Sequence, residues 1–145
     1  MSGVHAVLGV GVLAANALAA VWGGGAYLRR EPSVVFWYLL RTAQAFVVIQ
    51  VALGFALYAQ GDRAPDDLHL LYGMSPLVVT LFSEGMRLGV AQRELDQVDD
   101  VDALERREQA ALARRVVLRE MGVMSLGALL IVTLSLRALS SGGLY

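Results

Sequence analysis

The chain has no cysteine, no lysine and only three prolines in 145 residues. Without cysteine there is no disulfide, iron–sulfur cluster, thiolate zinc site or thioether-attached haem. The twelve basic residues are all arginine, a bias that points to a GC-rich bacterial coding sequence. Charge is scarce as well: 17% of residues, where a soluble domain carries about 25%. Twelve basic residues against thirteen acidic give a net charge of −1, which favours no charged partner and argues against nucleic acid. No phosphate loop, nucleophile–base pair or nucleic-acid motif is found.

What remains is apolar. Hydrophobic residues make up 57% of the chain and mean hydropathy is +0.57. A membrane-spanning helix needs ~20 mostly apolar residues, so the composition supplies about four spans and leaves no room for a separate soluble domain. The runs are residues 4–28, 33–59, 68–90 and 116–139. All are helix-length rather than short alternating strands, which excludes a barrel. Pro76 falls in the first turns of the third run, where neighbouring helices can cover the carbonyl it frees. A cleaved signal peptide is the competing reading of the first run. No basic segment precedes its Ala17-Leu-Ala19, and the run is too long.

Arginine is unevenly divided between the connections. Arg29 and Arg30 occupy the first; Arg93, Arg106, Arg107, Arg114 and Arg115 occupy the third, with Arg119 just inside the last run. The second connection has one Arg against three Asp. Arginine-rich loops stay in the cytoplasm, so both termini are expected outside. Trp22, Tyr27, Phe36, Trp37 and Tyr38 fall at the cytoplasmic level, as an interfacial belt would. The expected fold is an all-α, four-helix transmembrane up-down bundle, one membrane domain over 1–145, in a bacterial plasma membrane.

Residues 91–119 differ in character: fourteen charges lie between Arg93 and Glu120, with no Pro or Gly. Strong helix formers from Ala103, after the cap-rich Asp99-Asp100-Val-Asp102, predict a cytoplasmic helical hairpin between helices three and four, with 91–115 as its extension. It reads either as a solvated hairpin or as a docking surface for a partner. Arg41, Glu84 and Arg87 lie toward the cytoplasmic ends of their spans and predict a structural Glu84–Arg pair rather than a proton path. Gly11, Ala15, Ala19 and Gly23 form a small-residue stripe for close approach of another helix, in this bundle or in a second protomer. The methionines read as packing rather than as axial ligands.

The chain has two histidines, His5 and His69. Each lies 24 residues before an arginine at the cytoplasmic end of its own odd-numbered span (Arg29, Arg93), so both sit at one depth near the outer face. Each has a glycine at i+4, Gly9 and Gly73, which leaves a bare patch on the same helix face. Adjacent helices at about 8–10 Å are too close to sandwich a porphyrin between two imidazoles, whereas diagonal helices about 12–14 Å apart are not. The first and third helices are diagonal in an up-down bundle. This predicts a b-type haem with His5 and His69 on its iron and Gly9 and Gly73 against the macrocycle. The bland alternative is two interfacial histidines touching water or headgroups. Zinc or copper is disfavoured, because two histidines without a carboxylate or thiolate make a poor site.

Arg41-Thr-Ala-Gln44, Gln50-Val-Ala-Leu-Gly54 and Leu68-His69-Leu70 resemble one four-helix half of the haem A synthase family, over roughly residues 4–90. The resemblance implies a haem pocket with His5 and His69 as ligands and Gln50 and Gly54 on a lining helix. The family's first bundle histidine is followed by Arg and preceded by Glu, and the family has a second half. Here Ala6 follows His5, no acid lies in residues 1–4, and one half is present. Haem binding carries over; conversion to haem A does not. Arg63 and Arg137 are the basic residues on the outer side and are candidates for the haem propionates. Alternatively, Arg63 pairs with a neighbouring Asp while Arg137 snorkels to headgroups.

The function expected is electron transfer or haem handling, with a quinol, an outer electron carrier or a haem-bearing subunit as partner besides the lipid bilayer. The alternative from another class is a cofactor-free scaffold or accessory subunit that uses the stripe and the hairpin as contacts. A transporter is disfavoured, since no span has a midplane charge or a broken helix.

Overall fold

The computed structural model describes residues 2–61 and 67–141. Within them the chain forms four helices: α1 (Ser2–Leu28), α2 (Val34–Ala59), α3 (Asp67–Leu95) and α4 (Arg106–Ser141). Three of these, α1, α2 and α4, are long and apolar enough to cross a membrane. α3 is not among them; His69, Glu84 and Arg87 fall within its apolar stretch.

The helix ends follow from local chemistry. Ser33 caps α2: its Oγ accepts the Phe36 N–H at 3.2 Å and also the Trp22 indole N–H at 3.0 Å. Arg30, at φ 57°, makes the tight turn out of α1, and Gly61, at φ 93°, lies just past α2. α4 begins at Arg106 rather than at Ala103. The Asp100 carboxylate instead accepts the N–H groups of Asp102 and Ala103 in a local turn, and Glu108 reaches back to the N–H of Glu105. The hairpin after α3 is therefore present, with its turn three residues longer than propensity suggested.

Successive helices run antiparallel. Gly23 of α1 meets Phe36 at one end of α2, while His5 meets Gly54 at the other. Arg87 of α3 pairs with Glu120 of α4, and farther along the same helices Tyr72 lies under Arg137. α4 packs most extensively, on α1 and α3; α2 packs on α1 and touches α3 and α4 less. Among the described residues no α1 Cα comes within 8 Å of one in α3, so these two stand diagonally.

Large apolar side chains cover the outside of the bundle as well as filling its inside. Asn16, Thr80, Ser83, Ser125 and Ser135 are buried, whereas Val7, Val21, Leu28 and Phe82 face outward. Two small apolar clusters hold the interior: Phe36, Leu40, Met121 and Met124, and then Val12, Val47 and Ile131. Phe36 therefore does not belong to the interfacial belt; Gly23 leaves it room to enter the core, while Trp22, Tyr27 and Tyr38 stay exposed.

The small-residue stripe is consumed inside this bundle. Gly11 lies against Phe46, Ala19 is fully buried, and a Cβ at Gly23 would overlap both Phe36 and Ser125. Gly127 gives α3 and α4 the same close approach, since a Cβ there would overlap Ser83 Oγ.

Candidate functional site

The two histidines meet at one end of the bundle. Their ring centroids are 6.2 Å apart, tilted by 57°, and each ring is half-buried. They come from the diagonal helices α1 and α3, so the imidazoles reach across a gap that the backbones leave open.

α2 supplies the floor. Gln50 Nε2 lies 3.2 Å from His5 Nε2, so the amide engages the ring nitrogen farthest from the α1 backbone. An amide nitrogen only donates, so with the amide in this orientation His5 Nε2 is the acceptor. His5 Nδ1 and Gln50 Oε1 are both buried without a hydrogen-bond partner.

Two glycines make this arrangement possible. An added Cβ at Gly54 would lie 3.3 Å from His5 Cε1, and one at Gly9 would lie 3.3 Å from Gln50 Nε2. Gly9 thus makes room for the Gln50 amide. Nothing lies within 4 Å of the Cβ position of Gly73, which faces open space below His69.

The other candidates are less closely placed. The Arg137 guanidinium sits over the Tyr72 ring, 5.8 Å from its centre, three residues after His69 in α3. Arg63 lies outside the described residues.

The charged groups toward the far end pair among themselves. Arg41 donates to Glu84 and to Gln44, both at 2.6 Å, and Gln44 donates to Glu84 at 2.8 Å. Arg87 donates to Glu84 at 2.8 Å and to Glu120 at 3.2 Å, and lies 5.9 Å from the centre of the Trp37 ring. Two arginines and two glutamates leave this cluster neutral. In the hairpin, Glu94 is buried and pairs with Arg119 at 3.2 Å and Arg115 at 3.6 Å. Arg114 donates to the Arg30 carbonyl at 2.8 Å, tying α4 to the α1–α2 turn.

Among the described residues no group of three or more His, Cys, Asp or Glu is placed to hold a bare metal ion. A facing pair of imidazoles suits a metal that brings its remaining ligands with it. Reading the sequence for charges and histidines passed over Asn16, the one amide in the first apolar run, which the fold buries at the bundle centre. No protein family, curated protein or solved structure matches the chain.

Proposed function

We propose that this chain is a multi-pass membrane protein that binds one b-type haem between His5 and His69, for electron transfer or haem handling. The observation that carries this reading is the 6.2 Å separation of the chain's two histidine rings across the diagonal. A haem held by both rings would need their centres about 6 Å apart.

All four helices cross the bilayer in this reading, including α3, whose Glu84 and Arg87 are neutralised inside the bundle. The arginine-rich connections face the cytoplasm, which places the histidine pair and both termini at the outer side. A haem held by His5 and His69 would supply a one-electron iron couple. The protein's own part is to set the two imidazoles. α2 positions the His5 ring against the bare face of Gly54, and Arg137, held over Tyr72, is the described basic residue available to a propionate. One haem at one face does not bridge a ~30 Å core, so a quinol, an outer carrier or another haem subunit completes the route.

The test is an absorption spectrum of the detergent-purified protein, as isolated and after dithionite. A Soret band with sharp reduced α and β bands supports six-coordinate b-type haem. A protein that stays colourless after haem addition rejects the reading and leaves an accessory subunit that carries no cofactor.

A further inference from the structure

The centre of the bundle holds a small cavity remote from the histidine pair, its wall mostly apolar but with the side chains of Asn16, Gln44, Thr80 and Ser83 among its lining. It has a volume of about 10 Å³, and all four helices line it. α1 contributes Asn16; α2 contributes Leu40 and Gln44; α3 contributes Thr80 and Ser83; α4 closes it with the apolar Met124, Gly127, Ala128 and Ile131. Such a volume holds one water centre, since a buried water needs about 10–15 Å³ by that measure and two to four polar partners.

The partners are present. Asn16 is 1% exposed, and its Nδ2 donates to the Val12 carbonyl at 2.8 Å, which holds the side chain in place. Thr80 Oγ1 donates to the Pro76 carbonyl at 2.8 Å, so its lone pairs are the part left for an incoming donor. Ser83 Oγ occupies the space that Gly127 leaves by having no side chain. Gln44 is the link outward, because the same amide that lines the cavity bonds Glu84 and Arg41.

We propose that this cavity is a resident water site, bridging Asn16 of α1 to Thr80 and Ser83 of α3. The water supplies the hydrogen-bonded connection between two diagonal helices whose backbones do not meet. It also extends the Arg41–Gln44–Glu84 network to the middle of the bundle. The cavity walls include no carboxylate, and the nearest network already balances its charge, so water fits better than a cation.

A structure of the full chain at a resolution that shows ordered water tests this, with sodium and with choline as the only added monovalent cation. The expected result is one peak at about 2.7–3.2 Å from Asn16 and from Thr80 or Ser83, unchanged by choline. The Thr80→Val/Ser83→Ala variant, which keeps the packing volume, should lose it. A peak with distances of about 2.4 Å that vanishes in choline would mean a cation and overturn the proposal. An empty cavity that takes up xenon under pressure would overturn it as well. So would a peak that persists at full occupancy in the double variant.

Discussion

The His5 ring lies against the bare face of Gly54, where a Cβ would stand 3.3 Å from Cε1. The relationship is reciprocal, since Gln50 of α2 lies over Gly9 of α1 and its amide meets His5. Each helix thus carries a polar side chain and, four residues later, the glycine that receives its partner's.

Gly54→Leu should therefore displace His5 while leaving the helices intact. We expect at least about a tenfold loss of haem affinity, or about 1.4 kcal/mol, with unchanged helical circular dichroism. Gly54→Ala, which asks the ring to move only a few tenths of an ångström, should cost much less. Haem titration of the empty protein reads both. Equal binding by Gly54→Leu and the parent would remove His5 from the ligand pair.

Gln50 makes the opposite prediction. Its amide occupies the nitrogen of His5 that an iron would need, and its Oε1 is buried without a partner. Gln50→Leu removes both the competing hydrogen bond and the unpaired oxygen. Apparent haem affinity should rise about fivefold, matching the ~1 kcal/mol net value of one hydrogen bond. Weaker binding in this variant would show that Gln50 supports the bound state rather than the empty one.

What the sequence made legible follows from the range of the forces involved. The helix-length apolar runs, the hairpin after α3 and the pairing of Glu84 with arginine all rest on local composition and on the cost of an unpaired charge. They reappear in the fold. The diagonal approach of His5 and His69 was legible because both lie at one depth on alternate helices. The directions of small features were not legible. Phe36 reads as a belt residue until Gly23 opens a hole for it, and nothing in the spacing of Gly9 foretells that Gln50 lies over it. Asn16 carries no charge and matches no motif, so only packing reveals that it is buried at the centre.

The α3–α4 contact should be sensitive to a single methyl group. Gly127→Ala forces Ser83 Oγ aside in a closely packed interior, and overpacking of this kind costs about 1–3 kcal/mol. Thermal melting in detergent should show a matching drop. Adding Ser83→Ala should recover only part of it, because Ser83 Cβ would still lie 3.0 Å from the new methyl. Full additivity of the two losses would contradict the contact.

Within the ion cluster the glutamate should matter more than Arg41. Arg41 has a side chain 53% exposed, so Arg41→Ala should cost under about 0.5 kcal/mol. Glu84 accepts from Arg41, Gln44 and Arg87 at once and is 25% exposed. Glu84→Ala strips all three donors and should cost about 1–3 kcal/mol, after allowing for screening at that exposure. A double-mutant cycle with Arg87→Ala should show coupling; independent effects would mean that the cluster is not a unit.

The absence of cysteine makes the membrane crossing of α3 directly measurable, since any introduced thiol is the only one. Gln60 and Glu105 are exposed and flank α3 on its two sides in the chain. If α3 crosses the bilayer, Gln60→Cys should react with an impermeant maleimide in intact spheroplasts. Glu105→Cys should react only after permeabilisation, because on the proposed topology the arginine-rich hairpin faces the cytoplasm. Labelling of both thiols from outside would show that α3 does not cross and that its paired charges belong to an interfacial helix. Protection of Gln60→Cys with labelling of Glu105→Cys would keep the bundle but invert it, moving the histidine pair to the cytoplasmic side.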